Sequence, residues 1–251
     1  MKLKKTVIVL LFIGFVCAVP GYHQVLRTAA QLSPPLTMVI DAGHGGMDGG
    51  ASASDGTKEQ QINLSIAKAL KTEAERYGIK VILTRKTEEG LYQNSEGVWS
   101  KVGDMRQRRK IIEETKPDLT ISIHLNSFLS DSSVHGAQVF YPENENEELK
   151  EENKLLAEEI QTALKEKLGK NADRIVLQKS GFYLFQNPNH PMILVECGFL
   201  SNPEDLVNLK TPSYQKELAA SIMKATAQHF NLKLPKAEKR EVVDSRTEEQ
   251  G

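Results

Sequence analysis

Val39-Ile40-Asp41-Ala42-Gly43-His44-Gly45-Gly46-Met47-Asp48-Gly49-Gly50 begins as an apolar, β-branched run and ends as a glycine-rich loop. The first part reads as a buried strand, and the glycines mark its abrupt end. His44 stands at the junction. The glycines around it keep bulk away and allow backbone angles that other residues resist. An imidazole at the end of a buried strand can hold a metal or take part in catalysis. Taken alone, the stretch reads as readily as a strand and a tight turn carrying an ordinary loop histidine.

Downstream, Lys58 to Tyr77 has apolar residues at Ile62, Ile66, Ala69, Leu70 and Ala74, the spacing of one helix face. Thr57 is its expected N-cap, and Gly78 its stop. Lys80 to Thr84 reads as a second buried strand. Strand, helix and strand in short order imply a parallel βαβ unit. A long loop follows from Lys86 to Asp104, carrying Tyr92 and the only tryptophan, Trp99. Met105 to Lys116 is an expected helix whose basic cluster, Arg106, Arg108, Arg109 and Lys110, reads as a solvated face. Leu119 to Leu125 and Gly136 to Tyr141 are expected strands. Glu147 to Leu168 is a charged helix with one apolar stripe. Arg174 to Gln186 is mixed, with a short strand expected near Tyr183. Met192 to Glu196 is a buried strand, and helices are expected at Pro203 to Leu209 and Tyr214 to Phe230. The pattern predicts an α/β fold: a single three-layer domain with a mostly parallel twisted sheet flanked by helices.

The chain has 251 residues and a formal net charge of −1. That balance gives no reason to expect nucleic acid as a partner. Residues 1–20 pair Lys2, Lys4 and Lys5 with an apolar run from Val7 to Val19. This reads as a signal peptide or a short membrane anchor, so the folded part is expected outside the cytoplasmic membrane. Residues 21–36 read as a linker and 37–232 as the folded domain. Residues 233–251, charged and poor in apolar side chains, read as a disordered tail. Cys17 and Cys197 lie in separate apolar runs and are not expected to pair.

His44 follows the first strand, His124 ends the third, and Glu196 ends the last. A carboxylate after Met-Ile-Leu-Val is costly to bury without a partner. Ligand sites in open α/β sheets gather at the carboxyl ends of strands, so these three residues should converge. Glu59, opening the first helix, belongs on the same rim. Two imidazoles and a carboxylate suit zinc with an open position for water. A second carboxylate supplies the base that hydrolysis requires.

Four stretches then carry a resemblance. They are Val-Ile-Asp-Ala-Gly-His44-Gly-Gly-Met-Asp48-Gly-Gly, Lys-Glu59, Ile-Ser-Ile-His124-Leu-Asn126-Ser, and Val-Glu196-Cys-Gly-Phe-Leu-Ser-Asn. In that order they resemble the zinc-dependent N-acetylmuramoyl-L-alanine amidases of the Amidase_3 family. The resemblance covers about Thr37 to Phe230. It implies Zn2+ held by His44, Glu59 and His124, with Glu196 as the catalytic carboxylate. The implied reaction is hydrolysis of the amide between the muramic acid lactyl group and L-alanine in peptidoglycan. The N-terminal apolar segment and His135-Gly136-Ala137-Gln138-Val139-Phe140-Tyr141 resemble the CwlD-type branch of spore-forming bacteria. That branch implies a role in forming muramic δ-lactam in spore cortex and in germination, with a downstream deacetylase. A separate activating protein is compatible with it.

The other polar residues divide between structure and site. Asp41 and Asp48 read either as partners of the histidines or as turn formers. Arg85 reads as a structural salt bridge, and Asn126 as a ligand-orienting or turn residue. His135, His190 and His229 are expected to be non-ligands. Trp99 and Tyr92 either line a glycan groove or anchor their loop. Competing functions are a vegetative wall amidase, a zinc peptidase cutting within the stem peptide, and a silent wall-binding protein.

Overall fold

The computed structural model describes residues 35–234, except Asn94 and Asn187. The signal or anchor segment, nearly all of the linker and all but the first two residues of the tail therefore lie outside the described residues.

Among the described residues, strands and α-helices alternate up to the third strand and then come partly in pairs. They are β1 (Thr37–Ala42), α1 (Glu59–Arg76), β2 (Lys80–Leu83), α2 (Lys101–Thr115), β3 (Leu119–Asn126) and β4 (Gln138–Pro142). Then come α3 (Glu147–Leu168), β5 (Leu177–Lys179), β6 (Met192–Phe199), α4 (Pro203–Leu209) and α5 (Pro212–His229). The six strands form one sheet in the order β2-β1-β3-β6-β4-β5. Every neighbouring pair is parallel except β4 with β6.

The two faces of this sheet differ. Met38, Ile40 and Ala42 of β1, Leu119, Ile121 and Ile123 of β3, and Ile193, Val195 and Cys197 of β6 join one large apolar cluster. Helices α1, α3 and α5 cover that side with Ile66, Leu70, Leu156, Ile160, Leu164, Leu218 and Ile222. The alternate residues Val39, Met192 and Leu194 point into a smaller cluster with Ile112 of α2 and Leu184 and Phe185. Side chains alternate along a strand. The polar residues Asp41, Ser122, His124 and Glu196 therefore emerge on this thinly covered side. A layer of one helix and a short turn leaves room for a pocket at the carboxyl ends.

Several local expectations need correction. Lys58, not Thr57, is the N-cap of α1, and no side chain caps that end. Its first-turn donors are instead used by the preceding loop, where Glu59 N bonds Ala51 O and Gln60 N bonds Gly49 O. Helix α2 starts four residues before Met105, with Ser100 as its cap: Ser100 Oγ accepts from Gly103 N at 3.2 Å. Tyr183 lies in a 3-10 turn, Tyr183–Phe185, and the short strand is Leu177–Lys179. Pairing with β4 decided that, and local propensity did not. Cys197 is buried and unpaired, and burial pushes its thiol pKa up.

Candidate active site

The loop after β1 delivers His44 in a left-handed backbone conformation, φ 62°. That is uncommon for a non-glycine residue and needs support from its surroundings. The support is two buried arginines. Arg108 of α2 donates from Nη1 to Ala42 O at 2.7 Å and from Nη2 to His44 O. Arg85, after β2, donates from Nε to Ala42 O and from Nη2 to Gly43 O, both at 2.9 Å. Arg85 also reaches Thr87 O and Gln60 O. It is a structural residue, but its hydrogen bonds go to main-chain carbonyls, not to a carboxylate.

Arg108 corrects the reading of the basic cluster as a solvated face. It is 1 % exposed and pairs with Asp41 Oδ1 at 2.6 Å and Asp104 Oδ2 at 2.8 Å. Burying a guanidinium costs several kcal/mol unless the charge is met. Two carboxylates and two carbonyls meet it here. Burial would raise the Asp41 pKa, but the charges of Arg108 and His124 and the hydroxyls of Ser122 and Thr84 outweigh it and hold it at about 2. Asp41 thus serves the arginine and hydroxyl network, bonded to Arg108, Ser122 and Thr84. Asp48 does lie against a histidine, with Oδ1 3.0 Å from His44 Nδ1.

Glu59 is the hub. Its Oε2 lies 3.2 Å from His44 Nε2, and its Oε1 lies 3.1 Å from His124 Nδ1. Main-chain N–H groups of Ala51 and Leu125 donate to the carboxylate at 2.9 and 3.0 Å, and Asn63 Nδ2 donates at 3.1 Å. Burial opposes its charge, but the two histidines hold its pKa far below the usual carboxylate range. Burial also opposes the charge on His44, yet Glu59 and Asp48 raise its pKa above the ordinary histidine value. One ligand atom from each of His44, Glu59 and His124 lies within 4.8 Å of the others. Two ligands about 2.0–2.1 Å from a tetrahedral ion stand roughly 3.3 Å apart. Each imidazole nitrogen lies at about that spacing from one oxygen of Glu59, His44 from Oε2 at 3.2 Å and His124 from Oε1 at 3.1 Å. Glycine is required nearby: a Cβ on Gly43 would overlap the His124 ring, and one on Gly50 would collide with Glu59 and His44.

Glu196 sits across from this cluster, paired in register with His124 on the adjacent strand. It is 7 % exposed. Its Oε1 accepts from Lys179 Nζ at 3.2 Å, and its Oε2 is buried with no hydrogen-bond partner among the described residues. Both carboxylates and both histidines line one pocket of about 340 Å³. Lys101, Met105, Lys179, Phe182 and Tyr183 help complete its walls. Phe182 meets the His124 ring edge-on at 5.6 Å.

Sequence reasoning missed Lys179, Phe182 and the buried role of Arg108. Among the other candidates, Asn126 Oδ1 accepts from Ser127 N, which is turn chemistry. His190 contacts Thr120 and Asn189, and His229 contacts Glu159, so neither reaches the cluster. Trp99, Tyr92 and Met47 line a separate cavity of about 420 Å³ beyond the His44 loop.

Two imidazoles and two carboxylates at one pocket of an open α/β sheet are the kind of side chains that metal-assisted hydrolysis uses. The Amidase_3 family, described as N-acetylmuramoyl-L-alanine amidase, matches residues 38–228. The chain belongs to that family and is an N-acetylmuramoyl-L-alanine amidase. It is 37 % identical over 196 residues to the germination-specific N-acetylmuramoyl-L-alanine amidase of Bacillus subtilis (strain 168), covering 77 % of this chain and 79 % of that one. It is 31 % identical to N-acetylmuramoyl-L-alanine amidase LytC of the same organism, over 81 % of this chain and 38 % of that protein. Among solved structures, the CwlD amidase from Clostridioides difficile in complex with the GerS lipoprotein superposes with a TM-score of 0.73 at 35 % identity. That match covers 78 % of this chain and 98 % of the other.

Proposed function

We propose that this amidase acts in spore cortex, with Zn2+ held by His44, Glu59 and His124 and with Glu196 as the catalytic base. The observation that carries the zinc and base assignments is the three-residue cluster beside a buried carboxylate with one unpartnered oxygen. The donor set, two nitrogens and one oxygen, suits zinc. When bound, zinc supplies a Lewis acid that polarises a carbonyl and lowers the pKa of water towards roughly 7.

The chain's own groups do the rest. Glu196 takes a proton from the attacking water through its free Oε2. As the C–N bond breaks, the same carboxyl passes that proton to the leaving nitrogen of L-alanine. The lactyl carbonyl carbon keeps the water's oxygen and is left as a carboxylate, the water's second proton ending on the freed L-alanine amine. The arginine pair and Asn63 keep His44 and Glu59 still while this happens.

The spore role rests on likeness to the germination-specific and CwlD enzymes. It includes peptide removal ahead of δ-lactam formation by a downstream deacetylase. It includes export, with residues 1–20 as signal or anchor. A separate partner protein also belongs to it, since the CwlD structure contains the GerS lipoprotein. Among the described residues no helix is long and apolar enough to cross a membrane. Digestion of purified peptidoglycan with and without a chelator, followed by mass identification, tests the chemistry. The expected product is a peptide with a free L-alanine amine, lost on chelation. Cleavage within the stem peptide would replace this reading with a peptidase.

A further inference from the structure

We propose that Lys179 is a positioning residue for Glu196, which rests on the reading of Glu196 as the base. Lys179 ends β5, and Glu196 lies on β6, with β4 between them. Two strand spacings separate their backbones laterally by about 9–10 Å. The lysine side chain crosses that gap. Its ammonium stands 4.7 Å from the centroid of the Phe140 ring on β4 and 5.9 Å from that of Phe182. The aromatic faces attract the cation and exclude water from one side of it. From there Nζ donates to Glu196 Oε1 at 3.2 Å.

The consequence is a carboxylate with two unlike oxygens. Oε1 is held by the ammonium. Oε2 is out of solvent contact and without a hydrogen-bond partner among the described residues. A base free to rotate would present either oxygen in many directions. Pinning Oε1 leaves one oxygen for the proton and fixes where it stands. The lysine side chain is 34 % exposed, so its removal need not disturb the core.

The test uses the metal-loaded full chain with muramoyl-peptide substrate and four variants: Lys179→Met, Lys179→Arg, Glu196→Gln, and the double variant that combines Lys179→Met with Glu196→Gln. Lys179→Met should lower kcat about 10- to 100-fold, the size of losing one hydrogen bond to a charged group. KM should stay within about twofold. Metal content should not change, and Lys179→Arg should recover most of kcat. In the Glu196→Gln background the Lys179→Met change should cost nothing further, because the group it acts through is gone. Calorimetry should give the Glu196→Gln variant and the double variant the same affinity for substrate. Equal losses of turnover in both backgrounds, or a weaker affinity in the double variant, would mean that Lys179 grips substrate and would overturn the inference alone. A Glu196→Gln enzyme with undiminished turnover would remove the base reading, and the inference with it.

Discussion

The two sides of the pocket are held very differently. On the β1 side, the carbonyls of Ala42, Gly43 and His44 are all bonded by Arg85 and Arg108, and Glu59 accepts from three donors besides facing two histidines. On the β6 side, Glu196 meets Lys179 through one oxygen, while the other oxygen has no partner among the described residues. The contrast fits the tasks proposed for the two sides. Ligands of an ion must keep their spacing while the reaction proceeds, so they are over-determined. A base must gain and lose a proton, so a fully bonded carboxylate would be useless there.

Removing the lightly held group should break chemistry without breaking structure. Glu196→Ala is expected to lower turnover about 10²- to 10⁴-fold, the usual contribution of a general base. Metal content and melting temperature should match the parent protein. Loss of metal in that variant would erase the distinction between the two sides.

Removing a clamp from the other side should break structure first. Arg108→Met leaves Asp41 and Asp104 buried without their cation. The expected loss is about 3–5 kcal/mol in denaturant unfolding, since one partner of a buried pair is left alone. A loss below about 1 kcal/mol, as for a surface pair, would show that the clamp is not needed.

Asp48→Asn is a finer probe of the same side. Asp48 lies against His44 Nδ1 while Nε2 faces Glu59. A weaker orienting partner should reduce metal affinity about 10- to 100-fold in chelator competition. Unchanged affinity would assign Asp48 to the turn.

The smallest effect is a pH dependence. Asp41 is held at about 2 against an ordinary 3.8. A folded-state pKa below the unfolded one stabilises the protein fully above the unfolded value. That contribution, about 2 kcal/mol, is lost as pH falls from about 4 through 2. Unfolding measured between about pH 5 and pH 2 should show it, and Asp41→Asn should flatten that part of the curve. An equal slope in both proteins would assign the acid sensitivity to other carboxylates.

Much of this molecule is legible in its residues alone. Helix Glu147–Leu168 has the bounds its apolar stripe implies, and Met192 onward is the buried strand its composition implies. The convergence of His44, Glu59, His124 and Glu196 also follows from strand ends, because a parallel sheet brings such ends to one rim. Local chemistry suffices there. It fails for Arg108, whose neighbours Arg106, Arg109 and Lys110 disguise it, since only Arg108 of the four is buried. It fails for Lys179, because nothing near Leu177–Lys179 says that β5 pairs beside β4.

The sequence by itself determined the elements, the parallel βαβ start and the four residues of the candidate site, because each depends on periodicity or on a strand's end. The tertiary structure decided which carboxylate is crowded and which is left with a free oxygen. It also decided which cations are buried. Those properties depend in part on distant partners, 17 residues away for Lys179 with Glu196 and 67 for Arg108 with Asp41, which no local pattern encodes.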